Sequence, residues 1–228
     1  MNVDNEEINR RIEEVHRLIP DRSALLVIDM QHGFLDEGAS LEVEAGRAII
    51  PDIRNLVDAF RAKNAPVIFT EFVYAENVPC LRGDPFGVEH LPAVEGEPTG
   101  LEHPSSNCLI GPNAAQGVES AETVEALSPL PGELVIQGHA YDKFYGTPLD
   151  LSLRSQGITH LVATGITTDV CVSGTVISGT TRDYRVTLAT DGVASPFPDL
   201  HEAALKLLAH KFARLKTSGE IIDELNSF

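Results

Sequence analysis

The sequence has no tryptophan, three cysteines, and 17 lysine and arginine residues against 34 aspartates and glutamates. Each shortage excludes something. Cys80, Cys108 and Cys171 are an odd number without close spacing. That argues against a disulfide framework or a zinc knuckle and points to a reducing cytoplasm. The net charge of −17 repels phosphate backbones and anionic lipid surfaces, so neither nucleic acid nor membrane is an expected partner. A small anionic substrate is not excluded, because a pocket sets its own local field. No apolar run approaches the ~20 residues of a membrane span. The stretch Met1 to Arg17 is acidic and lacks the apolar core of a secretory signal.

What is present is ordinary globular composition. Hydrophobic residues make up 43% and charged residues 22%, which sets aside disordered, collagenous and low-complexity classes. A chain of 228 residues suits one α/β domain that buries roughly 70–75% of its unfolded surface. Ile8, Ile12, Val15, Leu18 and Ile19 recur at helical spacing, predicting an amphipathic helix over Glu6–Ile19. Ser23–Asp29 is an unbroken apolar run ending in an acid, the pattern of a strand covered on both faces. A helix over Val43–Lys63 follows, with Pro51 inside it, and then a strand over Pro66–Thr70. From Tyr74 to about Ser120 the chain is rich in Pro, Gly and Asn and has no sustained period, which reads as a long functional or oligomer-forming loop. Three βα units come next: strands at Glu133–Gln137, Thr159–Thr164 and Arg185–Thr190, helices at Pro148–Gln156, Asp169–Asp183 and Asp199–His210. Phe212–Lys216 suits a sixth strand, and Thr217-Ser-Gly-Glu220 a capping box opening a last helix. The alternation predicts a single doubly wound, mostly parallel six-stranded sheet with helices on both faces. Ligands of such sheets sit beyond the carboxyl ends of the strands.

Several residues with chemistry to offer follow those strand ends. Asp29 comes directly after Leu26-Val-Ile, a partly desolvated setting for a general acid or base, or equally for a capping carboxylate. Cys171 falls in the first turn of a helix that Thr168 or Asp169 would cap; helix N-termini favour thiolates, and free N–H groups there can hold an oxyanion. Read alone, a buried structural Cys is the commoner fate. Lys143 follows the third strand, beside Asp142 and close to His139. Near a thiol its ammonium would stabilise thiolate; elsewhere it would be a solvated surface group. Cys80 and Cys108 have no such context.

Taken together, Ala24-Leu-Leu-Val-Ile-Asp-Met-Gln31 with Phe34, Lys143-Phe-Tyr-Gly-Thr-Pro-Leu149 and Leu161-Val-Ala-Thr-Gly-Ile-Thr-Thr-Asp-Val-Cys-Val172 form an ordered set of three motifs. With Arg185-Val-Thr-Leu-Ala-Thr-Asp-Gly-Val193 they resemble the isochorismatase-like cysteine hydrolase superfamily from about Ser23 to Leu225. The resemblance implies a catalytic triad of Asp29, Lys143 and Cys171. It also implies a cis peptide between Ile166 and Thr167, and an oxyanion hole from the N–H groups of Thr167 and Cys171.

Departures from the family pattern select a branch. Isochorismatase itself lacks the nucleophilic cysteine that stands here at position 171. Nicotinamidases carry a metal site after the second strand, an Asp with nearby His residues. Here that stretch reads Phe69-Thr-Glu-Phe-Val-Tyr-Ala-Glu76, and His90 and His103 lie too far along. No metal and no cofactor is therefore expected. The resemblance then implies the metal-free amidases of small linear amides and ureido compounds: biuret, triuret, ureidoacrylate, N-carbamoylsarcosine, maleamate. Members of the family are commonly dimers or tetramers, so a homo-oligomer is expected. Phe34, Glu71, Phe144 and Tyr145 are candidate substrate contacts; Glu71 could accept from a ureido NH2, or simply be a solvated carboxylate. The competing readings are a nicotinamidase-like or maleamate-type amidase and, from another class, a non-catalytic or redox-sensing protein on the same fold.

Overall fold

A computed structural model describes residues 5–74, 107–111 and 114–227. Its centre is a six-stranded sheet: β1 Ser23–Ile28, β2 Val67–Phe72, β3 Leu134–Gly138, β4 His160–Ile166, β5 Arg185–Ala194 and β6 Arg214–Lys216. The spatial order is β3-β2-β1-β4-β5-β6. Every neighbouring pair is parallel. All six residues of β1 are buried, as the unbroken apolar run requires of a strand covered on both faces.

Alternation along the strands feeds two cores. Leu25 and Val27 of β1 join Ile53, Leu56, Val57 and Phe60 of helix α4 (Ile50–Ala62) and Ile221 and Leu225 of α8 (Ser218–Asn226). Ala24, Leu26 and Ile28 point the other way. They meet Leu149 and Leu153 of α5 (Leu149–Ser155), Val176 of α6 (Ser173–Thr181) and Leu208 of α7 (Pro198–Lys211). The capping box opens α8 as expected, with Thr217 accepting from the Glu220 N–H and Glu220 accepting from the Thr217 N–H.

Three elements differ from the sequence expectation. Helix α1 covers Asn5–His16, and its Ile8, Ile12 and Val15 remain 39%, 40% and 49% exposed rather than packed. After the single turn α2 (His32–Leu35), the helix expected over Val43–Lys63 is two: α3 (Glu44–Ala48) and α4, whose first turn holds Pro51. Proline lacks the N–H that would continue a preceding helix, and its ring suits a first turn. The segment expected to be one helix from Asp169 opens instead with a π-helical turn, Thr168–Val172, before α6. There the Val172 N–H reaches back five residues to the Thr167 carbonyl at 3.1 Å, and no side chain caps that turn. Of the long Tyr74–Ser120 segment, the described part pairs Tyr74 with Leu109 and packs Cys108 in a cluster with Phe72 and Ala121. The rest of it, including Cys80, His90 and His103, lies outside the described residues.

The chain crosses from one side of β1 to the other, and so reverses its winding, between β1 and β4. The crevice beyond the carboxyl ends of these two strands is where such a sheet leaves room for a ligand.

Candidate active site

β1 hands the chain to Asp29, a non-glycine residue at φ +54°. Such a conformation is costly for an aspartate and is held by its surroundings. The Asp29 N–H donates to the Thr70 carbonyl at 3.1 Å, and the Thr70 hydroxyl donates to Asp29 Oδ1 at 2.7 Å. Two residues on, the fully buried Gln31 braces the same turn. Its Nε2 donates to the carbonyls of Phe72 and Ala121 at 2.9 and 2.8 Å, and its Oε1 accepts from the Phe72 N–H at 2.7 Å.

Asp29 Oδ2 lies 2.7 Å from Lys143 Nζ. Asp29 is fully buried and Lys143 is 2% exposed. The ammonium also donates to the Ala140 carbonyl at 3.1 Å and stands 5.1 Å from the centre of the Phe72 ring. Burial pulls the Lys143 pKa down, but the charges of Asp29 and Cys171 outweigh it and hold the group above its ordinary value. Cys171 sits in the π-helical turn after β4, 9% exposed. The Ile166–Thr167 peptide bond preceding that turn is cis. Gly165, at φ +112°, lets β4 close on β1: a Cβ there would lie 2.0 Å from the Ile28 carbonyl oxygen.

Asp29, Thr167 and Cys171 share one cavity of about 330 Å³, large enough for a small molecule only. Its walls come from Phe34 and Ser40–Val43, from Phe72 and Tyr141, and from Ile166, Asp169, Val170, Pro196 and Phe197.

The remaining sequence candidates divide. Phe34 lines the cavity. Glu71 does not: it is buried, accepts from the N–H and hydroxyl of Thr123 at 3.0 Å each and from Gln137 Nε2 at 2.9 Å, and so is not a solvated carboxylate either. Phe144 packs in the core, its ring 5.7 Å from that of Tyr184. Tyr145 is 54% exposed and does not line the cavity. His139 is buried between Phe72 and Tyr74, with Nδ1 3.2 Å from the Val73 carbonyl. Asp142 accepts from the Phe144 N–H and the Ser178 hydroxyl, a local capping role. Burial pushes the Cys108 thiol up, away from thiolate chemistry. Sequence reasoning missed Thr70, Gln31, Phe72, Tyr141, Asp169 and the Ser40–Val43 and Pro196–Phe197 walls. Gln31 and Asp169 carried a signal only as members of the first and third motifs, Asp169 also as a possible cap.

A parallel six-stranded sheet between two helical layers, with a buried Asp29–Lys143 pair and Cys171 beyond its switch point, is the frame the site is built on. The family described as Isochorismatase domain matches residues 23–220, and the chain belongs to it. Ureidoacrylate amidohydrolase RutB of Enterobacter sp. (strain 638) is 30% identical over 213 residues, 91% of this chain and 90% of that protein. Among solved structures, a cysteine hydrolase from Pseudomonas syringae pv. phaseolicola 1448A superposes with a TM-score of 0.75 at 24% identity, over 92% of this chain and 95% of that one. An N-carbamoylsarcosine amidase from Thermoplasma acidophilum superposes with a TM-score of 0.64 at 24% identity, over 86% and 96%. The two structures establish the shared fold. The chain is thus an isochorismatase-like hydrolase.

Proposed function

We propose that this protein is a cysteine-dependent amidohydrolase that cleaves a terminal amide or ureido C–N bond of a small linear substrate and releases ammonia. The observation that carries the reading is the buried 2.7 Å Asp29–Lys143 pair, whose Asp29 lines the same cavity as Cys171. The 30% identity to a ureidoacrylate amidohydrolase supports the amide class.

The chemistry follows from what each group can do. Asp29 takes the Cys171 thiol proton, and the Lys143 ammonium stabilises the thiolate. The sulfur attacks the substrate carbonyl carbon, and the oxyanion is held by the N–H groups of Thr167 and Cys171. Removing one such donor typically costs ~2.7–4 kcal/mol of transition-state stabilisation. Asp29, now protonated, gives its proton to the leaving nitrogen as the C–N bond breaks and ammonia departs. Asp29 then draws a proton from water, the hydroxide cleaves the thioester or thiocarbamate, and the thiol is regenerated.

No metal takes part in this scheme. Where nicotinamidases place an Asp-x-His pattern, this chain has Glu71, engaged by Thr123 and Gln137. The reading includes a reducing cytoplasmic setting and a homo-oligomer; the half-exposed Ile8, Ile12 and Val15 on one face of α1 support the latter. Among the described residues no helix is long and apolar enough to cross a membrane.

The test is ammonia release from biuret, triuret, ureidoacrylate, N-carbamoylsarcosine, maleamate and nicotinamide, each with and without a chelator. Chelator-insensitive release from a linear amide or ureido compound is the expected result. Chelator-sensitive release from nicotinamide alone would replace this reading with a metal-dependent one.

A further inference from the structure

The cavity walls have a charge pattern that bears on which amides enter. Two carboxylates line it besides Asp29: Glu42 and Asp169. Glu42 is neutralised in place, with Arg47 Nη1 at 2.6 Å and the Gly38 N–H at 3.0 Å. Asp169 is not. Its Oδ1 is buried and has no hydrogen-bond partner among the described residues. Among those residues no arginine or lysine lines the cavity, and the Lys143 ammonium is held by Asp29. The remaining wall is largely apolar, with Leu41, Val43, Val170 and Phe197. Around it the molecule carries a net charge of −17. An apolar, confined wall strengthens the field of an uncompensated carboxylate, because little solvent screens it.

We infer that the cavity selects amides whose non-reacting end is a neutral or positively charged hydrogen-bond donor, such as a second amide, a ureido NH2 or an ammonium, and that the Asp169 carboxylate is the acceptor that reads it. A substrate ending in a carboxylate would meet an unpaired like charge in a small cavity, at a cost of the kind that negative selection uses. This rests on the proposed amidohydrolase reading and narrows it. It also separates this chain from a relative named for ureidoacrylate, whose acrylate end is itself a carboxylate.

The experiment reads the cavity's charge through Cys171 without relying on turnover. Three methanethiosulfonates, with neutral methyl, cationic 2-aminoethyl and anionic 2-sulfonatoethyl groups, react with a thiolate to form a mixed disulfide and expel methanesulfinate. Rates of modification at the Cys171 peptide are followed by mass spectrometry at an ionic strength of about 0.15 M, where charges beyond ~8 Å are largely screened. They are divided by the same reagents' rates on 2-mercaptoethanol. The corrected cation-to-anion ratio is expected to exceed one by roughly tenfold, the effect of one nearby unit charge at moderate dielectric. Asp169→Asn is expected to bring it most of the way back towards one, and Asp58→Asn, on the exposed face of α4, to leave it unchanged. In kcat/KM, biuret should outrun N-carbamoylglycine, and Asp169→Asn should narrow the gap.

A ratio at or below one, or a ratio untouched by Asp169→Asn, overturns the inference and leaves the nucleophile standing. Failure of even the neutral reagent to modify Cys171 overturns the nucleophile reading and the inference with it.

Discussion

At the scale of single residues, the Asp29–Lys143 pair is buried on both sides and held at 2.7 Å. Neither charge is therefore tolerable alone. Lys143→Met leaves the Asp29 carboxylate uncompensated and is expected to cost about 3–5 kcal/mol of stability, the usual range for a broken buried pair. Lys143→Met combined with Asp29→Asn removes both charges and should recover most of that loss while remaining inactive. Urea unfolding of the two variants measures the difference. The direction of the Lys143 shift gives a matching pH dependence. A raised pKa means that the folded state holds the proton more tightly. Its stabilisation is complete below the unfolded value of about 10.4 and fades as pH rises through the folded one, so the ammonium persists across neutral pH.

Residue-scale legibility followed local chemistry. Asp29, Lys143 and Cys171 each stood in a motif at a strand end, and the structure delivers them to one crevice. Adjacent candidates went elsewhere for geometric reasons. On β2, Thr70 and Glu71 face opposite sides of the sheet, so Thr70 reaches Asp29 while Glu71 reaches Thr123 and Gln137. In the turn after Lys143, Phe144 turns into the core and Tyr145 out to solvent. Asp169 gave no signal beyond its place in the third motif and a possible cap, because what distinguishes it is a missing partner, which only the assembled fold reveals.

At the scale of elements, the closeness of β1 and β4 decides whether the site exists. Gly165→Ala would place a methyl 2.0 Å from the Ile28 carbonyl, at a φ that disfavours any side chain. Separation of the two strands is the expected consequence, with loss of soluble folded protein or a sharply lowered Tm in a thermal melt; a wild-type Tm would mean that the strands can part at little cost. The seat of α1 is the second elemental prediction. His160 Nε2 lies 3.2 Å from the Val15 carbonyl, and His16 Nδ1 lies 3.0 Å from that of Ile12. Burial, the largest cause for each, holds both imidazoles below their ordinary value, with Arg214 and Arg185 adding to the effect. A depressed histidine pKa means that the unfolded state binds the proton more readily, so stability rises with pH and is lost as pH falls below about 6.5. The melting temperature should drop over that range, and His160→Gln, which cannot ionise but can still donate to Val15, should flatten the slope.

Element boundaries were less legible than element identities. The order of strands and helices followed from hydrophobic period, but Pro51 separates two helices rather than kinking one, and the turn carrying Cys171 is π-helical. A five-residue backbone reach such as Val172 to Thr167 leaves no mark in side-chain periodicity, and such turns recur at functional sites.

At the scale of the whole molecule, topology places the chemistry. The six parallel strands change winding direction between β1 and β4, and the groups proposed to react converge there from three strand ends. A cavity of about 330 Å³ confines the occupant to a small molecule. The parallel, doubly wound sheet was legible in the βαβ alternation; its strand order came only with the structure. The cavity wall was not legible, because Ser40–Val43 and Pro196–Phe197 come from connections whose positions depend on packing rather than on local pattern.

The central claim is that Cys171 becomes covalently acylated during turnover. Acid-quenched intact-protein and peptide mass spectrometry, on enzyme mixed for milliseconds with the best substrate of the amide panel, tests it directly. The account predicts a transient acyl or carbamoyl mass on the Cys171 peptide that appears with a burst of ammonia, lasts longer in Asp29→Asn, and is absent in a folded, inactive Cys171→Ala. Turnover by Cys171→Ala at the wild-type rate, or ammonia release with no mass ever found on Cys171, would contradict it.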